Sequence, residues 1–219
     1  MAEVVVYAGP SAAGMPASCR ERKDLQWRPP VRRGDIDSLV RKRSRAIGVI
    51  VICDGAFQSA PAVSHEEICR ALDAGWRVWG VSSMGAIRAH ELRFEGMKGH
   101  GYVHAQFSKF DDFTDDEMGL LHFPDPPYFQ VSEALVNVRY ALECQAGPLG
   151  MAPAAAALLI GELRRLWFGD RTEARLRELL TGPAGLPAPK AEALLAWLRS
   201  HRIKNLDLLD LLACRPWQD

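Results

Sequence analysis

Each of three short apolar segments in this chain is followed by polar residues that could perform chemistry: Ser11, Asp54, Ser82 and Ser83. A serine hydroxyl attacks a carbonyl carbon when a neighbouring group accepts its proton, and a carboxylate can orient that group. In an open α/β sheet, ligands collect at the carboxyl ends of the strands. If the three segments are parallel neighbours, these side chains meet at one edge, and acyl transfer is the chemistry they predict.

Ser83 is the leading candidate nucleophile because it lies where a strand passes into a helix. In the turn Ser82-Ser83-Met84-Gly85, backbone N–H groups of the new helix could hold a developing oxyanion. Gly85 would let a substrate approach the backbone closely. The arrangement follows the logic of a nucleophile elbow, although the motif G-x-S-x-G is absent. Serine also caps helices, so a structural cap is the alternative role of Ser82 or Ser83.

A serine nucleophile needs a proton acceptor, and His65 and Glu66 are candidates because they begin the preceding helix. Both residues also fit an ordinary surface position, and the helix dipole favours a glutamate there. Asp54 precedes Gly55, so it is either a functional carboxylate or a turn-forming residue.

Substrate binding is predicted for the segment that contains Arg32, Arg33 and Asp35. Two guanidinium groups can clamp a carboxylate or a phosphate, and a solvated basic loop is the alternative. We also assign Gly85 and Arg88 to the substrate side of the site.

Several classes of site are not predicted. The chain has neither a P-loop nor a Rossmann glycine fingerprint, although nucleotide binding remains the general alternative for a doubly wound sheet. The acidic run Asp115-Asp116-Glu117 lacks histidines at ligand spacing and is more typical of a helix start. We therefore expect no metal and no cofactor.

The elements that would position these residues alternate between strand and helix. Strands are predicted at 4–7, 47–53 and 76–81, with a further one at 102–107. Helices are predicted at 35–43, at 64–74 with a capping box of Ser64 and Glu67, and at 83–92. This order with short loops predicts an α/β fold, a mostly parallel sheet with flanking helices.

A different composition follows a helix predicted at 132–144 with Ser132 as its cap. Gly147 and Pro148 are interpreted as a linker, after which Ala, Leu and Arg recur at helical spacing. We therefore predict a C-terminal helical appendage, with domains at residues 1–146 and 147–219.

The composition favours a cytoplasmic protein that acts on neither nucleic acid nor membranes. The chain has 27 basic and 27 acidic residues, so no net charge attracts a polyanion. Its five cysteines include no C-x-x-C pair, which favours a reducing compartment. No apolar run approaches a bilayer span, and the first residues do not form a signal peptide.

Taken together, the motifs resemble those of the TfuA family. They fall in order over about residues 3–142: GPS at 9–11, PPVRRGD at 29–35, the strand and Asp54-Gly55 within 47–57, HEEI at 65–68, SMGAIRAHEL at 83–92, Gly96-Met97 with Gly99 and Gly101, and Ser132-Glu133 with Asn137 and Arg139. The ordered set, above all the SMGAIRAHEL stretch, carries the resemblance.

The resemblance implies a role in thioamidation of ribosomally made peptides. Family members work beside a YcaO-type cyclodehydratase and are thought to hydrolyse the thiocarboxylate of a ThiS-like carrier protein, releasing sulfide. They are also thought to help the YcaO enzyme hold its precursor peptide. The family site is described as a Ser–Lys pair, and Ser83 would be the matching serine, with Ser11 as the second candidate nucleophile. The alternative role is a non-catalytic adaptor for the YcaO enzyme and its peptide.

One departure from the family concerns the lysine. The family commonly reads His-Lys-Glu-Ile where this chain has His65-Glu66-Glu67-Ile68. Glu66 therefore stands at the lysine position. A glutamate can accept a proton, but its negative charge opposes an anionic thiocarboxylate, so His65 is the other candidate base. None of Lys23, Lys42, Lys98 or Lys109 lies in a matching motif.

Overall fold

Five parallel strands form one sheet in a computed structural model of the chain, which describes residues 3–42, 48–56 and 60–218. The strands are β1 (Val4–Tyr7), β2 (Leu25–Arg28), β3 (Val49–Ile52), β4 (Arg77–Val81) and β5 (Lys98–His100). Their order is β2-β1-β3-β4-β5, and every neighbouring pair is parallel. The predicted α/β fold with a parallel sheet is confirmed.

The strands form because their β-branched runs are buried on both faces. Every residue of β1 and β3 is buried, as expected when helices cover both sides of a parallel sheet. In register, Val6 lies opposite Val51, which lies opposite Trp79. The polar residues that follow β1, β3 and β4 consequently leave the sheet at the same edge.

One face of the sheet is covered by α2 (Asp35–Lys42), α3 (His65–Asp73) and α4 (Met84–Glu91). The predicted capping box is confirmed at α3, where the Ser64 hydroxyl accepts from the Glu67 amide and the Glu67 carboxylate accepts from the Ser64 amide. The predicted ends of two elements, Arg43 and Ile47, lie outside the described residues.

The other face packs against the last helix of the chain, α10 (Ile203–Cys214). Its side chains Leu208, Leu211 and Leu212 share a buried core with Val4, Val6, Val49 and Val51 of the sheet, and Trp217 joins them. Residues Met1–Phe113 and Lys204–Asp219 accordingly form one compact unit. It also contains the short helix α1 (Ala17–Arg20) and α5 (Gly101–Lys109).

The second compact unit, Thr114–Ile203, is helical. It consists of α6 (Leu135–Leu149), α7 (Pro153–Arg165), α8 (Glu173–Thr181) and α9 (Ala188–Ser200). Leucines from all four helices form its core. The predicted division at residues 146 and 147 stays a prediction. Within the described part of the chain, no helix combines the length and apolarity that a bilayer crossing needs.

Several local predictions were wrong. Residues predicted as a strand at 102–107 belong to α5, which follows β5 directly, and β2 was not predicted at all. Gly147 and Pro148 lie inside α6 rather than in a linker. Ser132 does not cap that helix, whose N-cap is Ala134, because the Ser132 hydroxyl instead accepts from the Leu121 amide at 2.7 Å.

Candidate active site at the strand ends

The residues that follow β1 and β3 are joined by a buried carboxylate. Oδ2 of Asp54 accepts hydrogen bonds from the amides of Gly9 at 2.8 Å and Ser11 at 2.9 Å, and Oδ1 accepts from the Ser11 hydroxyl at 2.7 Å. Ser11 and Asp54 are both buried. Strand order reverses between β1 and β3, and ligands of doubly wound sheets bind at this point. The predicted meeting of Ser11 and Asp54 is confirmed.

Cys53 connects this carboxylate to the turn after β4. Its thiol is near enough to the hydroxyls of Ser82 and Ser11 for both to affect its pKa. Burial raises the pKa of the Cys53 thiol well above its usual value, and the Asp54 charge acts in the same direction. The two hydroxyls and the positive charge of Lys204 lower that pKa by less. The thiol therefore stays neutral, and it brings three strand ends into one buried polar cluster.

Ser82 occupies a strained backbone position at the end of β4. Its φ is 65°, and the Ser83 amide donates to the Val81 carbonyl across it at 2.7 Å. A three-residue turn with positive φ at its centre is rare and strained, and such strain gathers at functional sites. The buried Ser82 hydroxyl donates to the carbonyl oxygen of Lys204 at 2.6 Å. The chain therefore makes the sharp strand-to-helix turn that a nucleophile elbow requires.

Two glycines allow this turn. A Cβ on Gly85 would lie 1.7 Å from the Ile52 carbonyl oxygen, and one on Gly80 would lie 2.0 Å from the Gly85 carbonyl oxygen. Any side chain at either position would push α4 away from β3 and β4. Gly80-Val81-Ser82 matches the first half of the elbow motif, with the second glycine one residue late. This near-match to G-x-S-x-G indicates the turn, although the exact motif is absent because the second glycine is shifted by one residue.

Ser83 differs from its neighbours in being only partly buried. It occupies the N-cap position of α4, but its side chain makes no capping hydrogen bond, so the cap interpretation is wrong. Nor does its hydroxyl bond to any other described residue. The Gly85 amide donates to the Cys53 carbonyl at 3.1 Å, whereas the Met84 amide has no such partner among the described residues. The Met84 N–H is therefore the candidate oxyanion donor next to Ser83.

Lys204 is a residue of this site that the sequence reasoning missed. Its side chain is 2% exposed, its charge acts on Cys53, and its carbonyl holds Ser82. The available signal was its position in α10: Lys204 and Asp207 fall on the same helical stripe as Leu208 and Leu211. Charged residues within an apolar stripe are informative because burying a charge is costly.

The two predicted bases, His65 and Glu66, lie on the surface. His65 Nε2 pairs with Oε2 of Glu91 at 2.7 Å, and Glu66 pairs with Arg70 at 2.6 Å. The Glu66 side chain is 81% exposed. Glu91 is eight residues beyond Ser83, which is ~12 Å along a helix axis. The structure thus brings neither candidate base to the serine turn.

The predicted substrate-binding residues have separate surroundings. Arg88 donates hydrogen bonds to the Val63 carbonyl at 3.1 Å and to Glu91 at 2.5 Å. The first of these bonds holds the loop that leads into α3. The Arg32 amide donates to Oδ2 of Asp35 at 2.8 Å. Arg32 and Asp35 line a cavity of about 540 Å³, which does not include the exposed Arg33.

Among the described residues, no group of three or more histidine, cysteine, aspartate or glutamate side chains could hold a metal ion.

The strand order and the buried strand-end cluster define a doubly wound α/β domain with its candidate site at the switch point. The model of the family described as TfuA-like protein matches residues 54–172, more than half of the chain. The chain therefore belongs to the TfuA-like family. Asp54, Ser82 and Ser83 fall within the matched region, and Ser11 and Lys204 fall outside it. Comparison with curated proteins finds no match.

Proposed function

We propose that this chain is a thiocarboxylate hydrolase that releases sulfide from a ThiS-like carrier protein and delivers it to a YcaO-type cyclodehydratase for peptide thioamidation. The observation that carries this proposal is Ser83: a partly exposed serine, with an unbonded hydroxyl, at the start of a helix. Ser11 and Ser82 are buried, and their hydroxyls already donate to Asp54 and Lys204.

The reaction needs two acyl transfers. The Ser83 oxygen attacks the thiocarboxylate carbon, the carbon–sulfur bond breaks, and sulfide leaves with the serine proton. Water then attacks the acyl-serine ester, returns a proton to the serine oxygen and releases the carrier with a carboxylate. The Met84 amide and the α4 dipole are suited to stabilise the oxyanion of each step.

Lys204 is the lysine that we assign to this site in place of Glu66. A Ser–Lys pair is an established variant of hydrolytic sites. Burial beside Cys53, and a carbonyl that bonds Ser82, support a place for Lys204 next to the turn. In its neutral amine form, its role is to take the serine proton and pass it to the leaving sulfide. Glu66 has no part in this proton transfer, because it forms an ion pair with Arg70 at the surface.

The test is conversion of a ThiS-like thiocarboxylate to the carboxylate, followed by intact mass. We expect Ser83→Ala to lose roughly 10³-fold or more in rate, and Lys204→Met to lose roughly 10²- to 10⁴-fold. Ser200→Ala, on the surface of α9, is the matched control and should retain the rate. Hydrolysis by Ser83→Ala at the control rate would refute the nucleophile assignment.

An adaptor function is the second candidate, and an exposed apolar hairpin favours it. Its two arms are joined by hydrogen bonds from the Val131 amide to the Leu121 carbonyl at 2.7 Å and from the Phe123 amide to the Phe129 carbonyl at 2.9 Å. These four side chains are exposed, Phe123 by 60% and Phe129 by 66%. Apolar patches of this kind mark protein contact surfaces.

Titration calorimetry with a YcaO-type enzyme tests the adaptor. If the hairpin binds that enzyme, the double variant Phe123→Ser with Phe129→Ser should weaken binding about tenfold or more. Phe94→Ser, which changes another exposed phenylalanine (83% exposed), should have no effect. Tight binding that survives Ser83→Ala, together with no turnover by the unaltered chain, would favour the adaptor over the hydrolase.

A further inference from the structure

A cavity of about 540 Å³ opens beside the ends of β1 and β2. Its walls come from the last residue of each strand, Tyr7 and Arg28, from the loop that follows β2, and from α2. This volume is within the range of sites for small organic ligands. The cavity is made entirely by the sheet-containing unit.

The residues that line this cavity carry more positive than negative charge. Arg28, Arg32 and Lys42 line it together with one acidic residue, Asp35. None of the three cations forms an ion pair with another described residue. Asp35 uses one carboxylate oxygen to accept from the Arg32 amide. On the same helix, by contrast, Asp37 is fully paired with Arg70. Three cations around one cavity repel each other, and an anion between them relieves that repulsion.

Tyr7 adds a neutral hydrogen-bond donor to the cations. Burial raises the pKa of Tyr7 to about 12, Asp35 and Glu67 act in the same direction, and Arg28 opposes them. The phenol therefore keeps its proton at neutral pH. Its hydroxyl is 3.5 Å from the Asp35 carbonyl oxygen, which is too long for a strong hydrogen bond. A ligand oxygen placed in the cavity would receive a better one.

We propose that this cavity binds a small organic anion with several negative oxygens, a phosphate ester or a polycarboxylate. The donors around it are two guanidinium groups, an ammonium and a phenol, and each complements an oxyanion oxygen. Leu39 and two prolines supply an apolar wall for the rest of the ligand. The site is separate from the Ser83 turn, and the inference does not depend on the hydrolase proposal.

Titration calorimetry with three probes tests the proposal: pyrophosphate, adenosine monophosphate and citrate. We expect saturable binding of at least one probe. A preference for either phosphate probe identifies a phosphate ligand, and a preference for citrate identifies a polycarboxylate. The double variant Arg28→Gln with Arg32→Gln should weaken binding about tenfold or more, because each lost guanidinium removes a charge-assisted hydrogen bond. Tyr7→Phe should weaken it by a smaller factor.

The matched control is Arg41→Gln, which removes the same charge from an exposed position on α2 outside the cavity. It should bind as the unaltered chain does. The proposal is overturned if no probe binds saturably. It is equally overturned if the double variant and Arg41→Gln bind alike, since binding would then reflect general surface charge. Thermal melting of each variant confirms that folding is intact.

Discussion

Asp207 makes the stability of this protein depend on pH in a direction opposite to that of most acidic groups. Its carboxylate oxygens accept from the amides of Tyr102 and Val103 at 2.8 Å each, at the start of α5. The pKa of Asp207 is raised from 3.8 to about 6, chiefly by burial and to a lesser degree by the charge of Asp210. The two amide hydrogen bonds and the charge of His100 oppose that rise without cancelling it.

The sign of the effect follows from proton linkage. Between pH 3.8 and about 6 the folded chain holds a proton on Asp207 that the unfolded chain has released, so the contribution to stability falls as pH rises. The difference of ~2 pKa units corresponds to about 3 kcal/mol. This contribution is complete below pH 3.8 and is lost once the pH exceeds about 6.

The variant Asp207→Asn removes the titrating carboxyl and leaves one of the two backbone amides without its acceptor. The stability lost with that hydrogen bond is the same at every pH. Urea unfolding of both chains between about pH 4 and pH 7 then isolates the effect of ionisation. The free energy of unfolding of the unaltered chain should fall by about 3 kcal/mol relative to the variant across this range. Asp73→Asn, at an exposed position of α3, is the control. A constant difference, or one that grows in favour of the unaltered chain, would refute the reasoning.

Four further substitutions should have local and measurable effects. Gly85→Ala places a Cβ against the Ile52 carbonyl and should lower the free energy of unfolding by about 3 kcal/mol or more. Gly161→Ala, which has open space around it in α7, should raise that free energy by about 0.5–1 kcal/mol. Calorimetric melting compares the two variants. Arg171→Met removes a fully buried guanidinium that bonds the Leu163 and Asp116 carbonyls. It should cost about 3 kcal/mol or more, with faster hydrogen exchange in α7, and unchanged exchange there would contradict the assignment. Ser64→Ala breaks the capping box of α3 and should cost about 1 kcal/mol in urea unfolding.

The sheet and its edge could be predicted because they depend on local patterns. Continuous apolarity in β3 identified a strand buried on both faces of a parallel sheet. The polar residues that follow β1, β3 and β4 identified the edge where Ser11, Asp54 and Ser83 lie. The strand β2 was missed because Leu25–Arg28 contains two polar residues and becomes a strand only by pairing with β1. Pairing of this kind is a tertiary effect that propensity does not report.

The apolar stripe of α10 marks Lys204 as an unusual charged residue, but no local pattern indicates where in the fold that residue lies. Lys204 reaches the site because α10 returns to the sheet after the whole helical unit, and the Ser82 hydroxyl meets it across 122 positions of sequence. A search confined to the ordered motifs ends before that residue. His65 and Glu66 were candidates because they begin the helix before the serine turn and Glu66 stands at the family's lysine position, but both side chains lie at the surface.

The return of α10 to the sheet has a consequence for how the protein is made. During synthesis the five strands emerge long before Leu208, Leu211 and Trp217, which complete one of the two faces of their core. Contacts of such high sequence separation slow folding, and domains form on the ribosome from the N-terminus. A nascent sheet would therefore expose this apolar face while the whole of Thr114–Ile203 is translated, and exposed apolar surface of this kind favours aggregation.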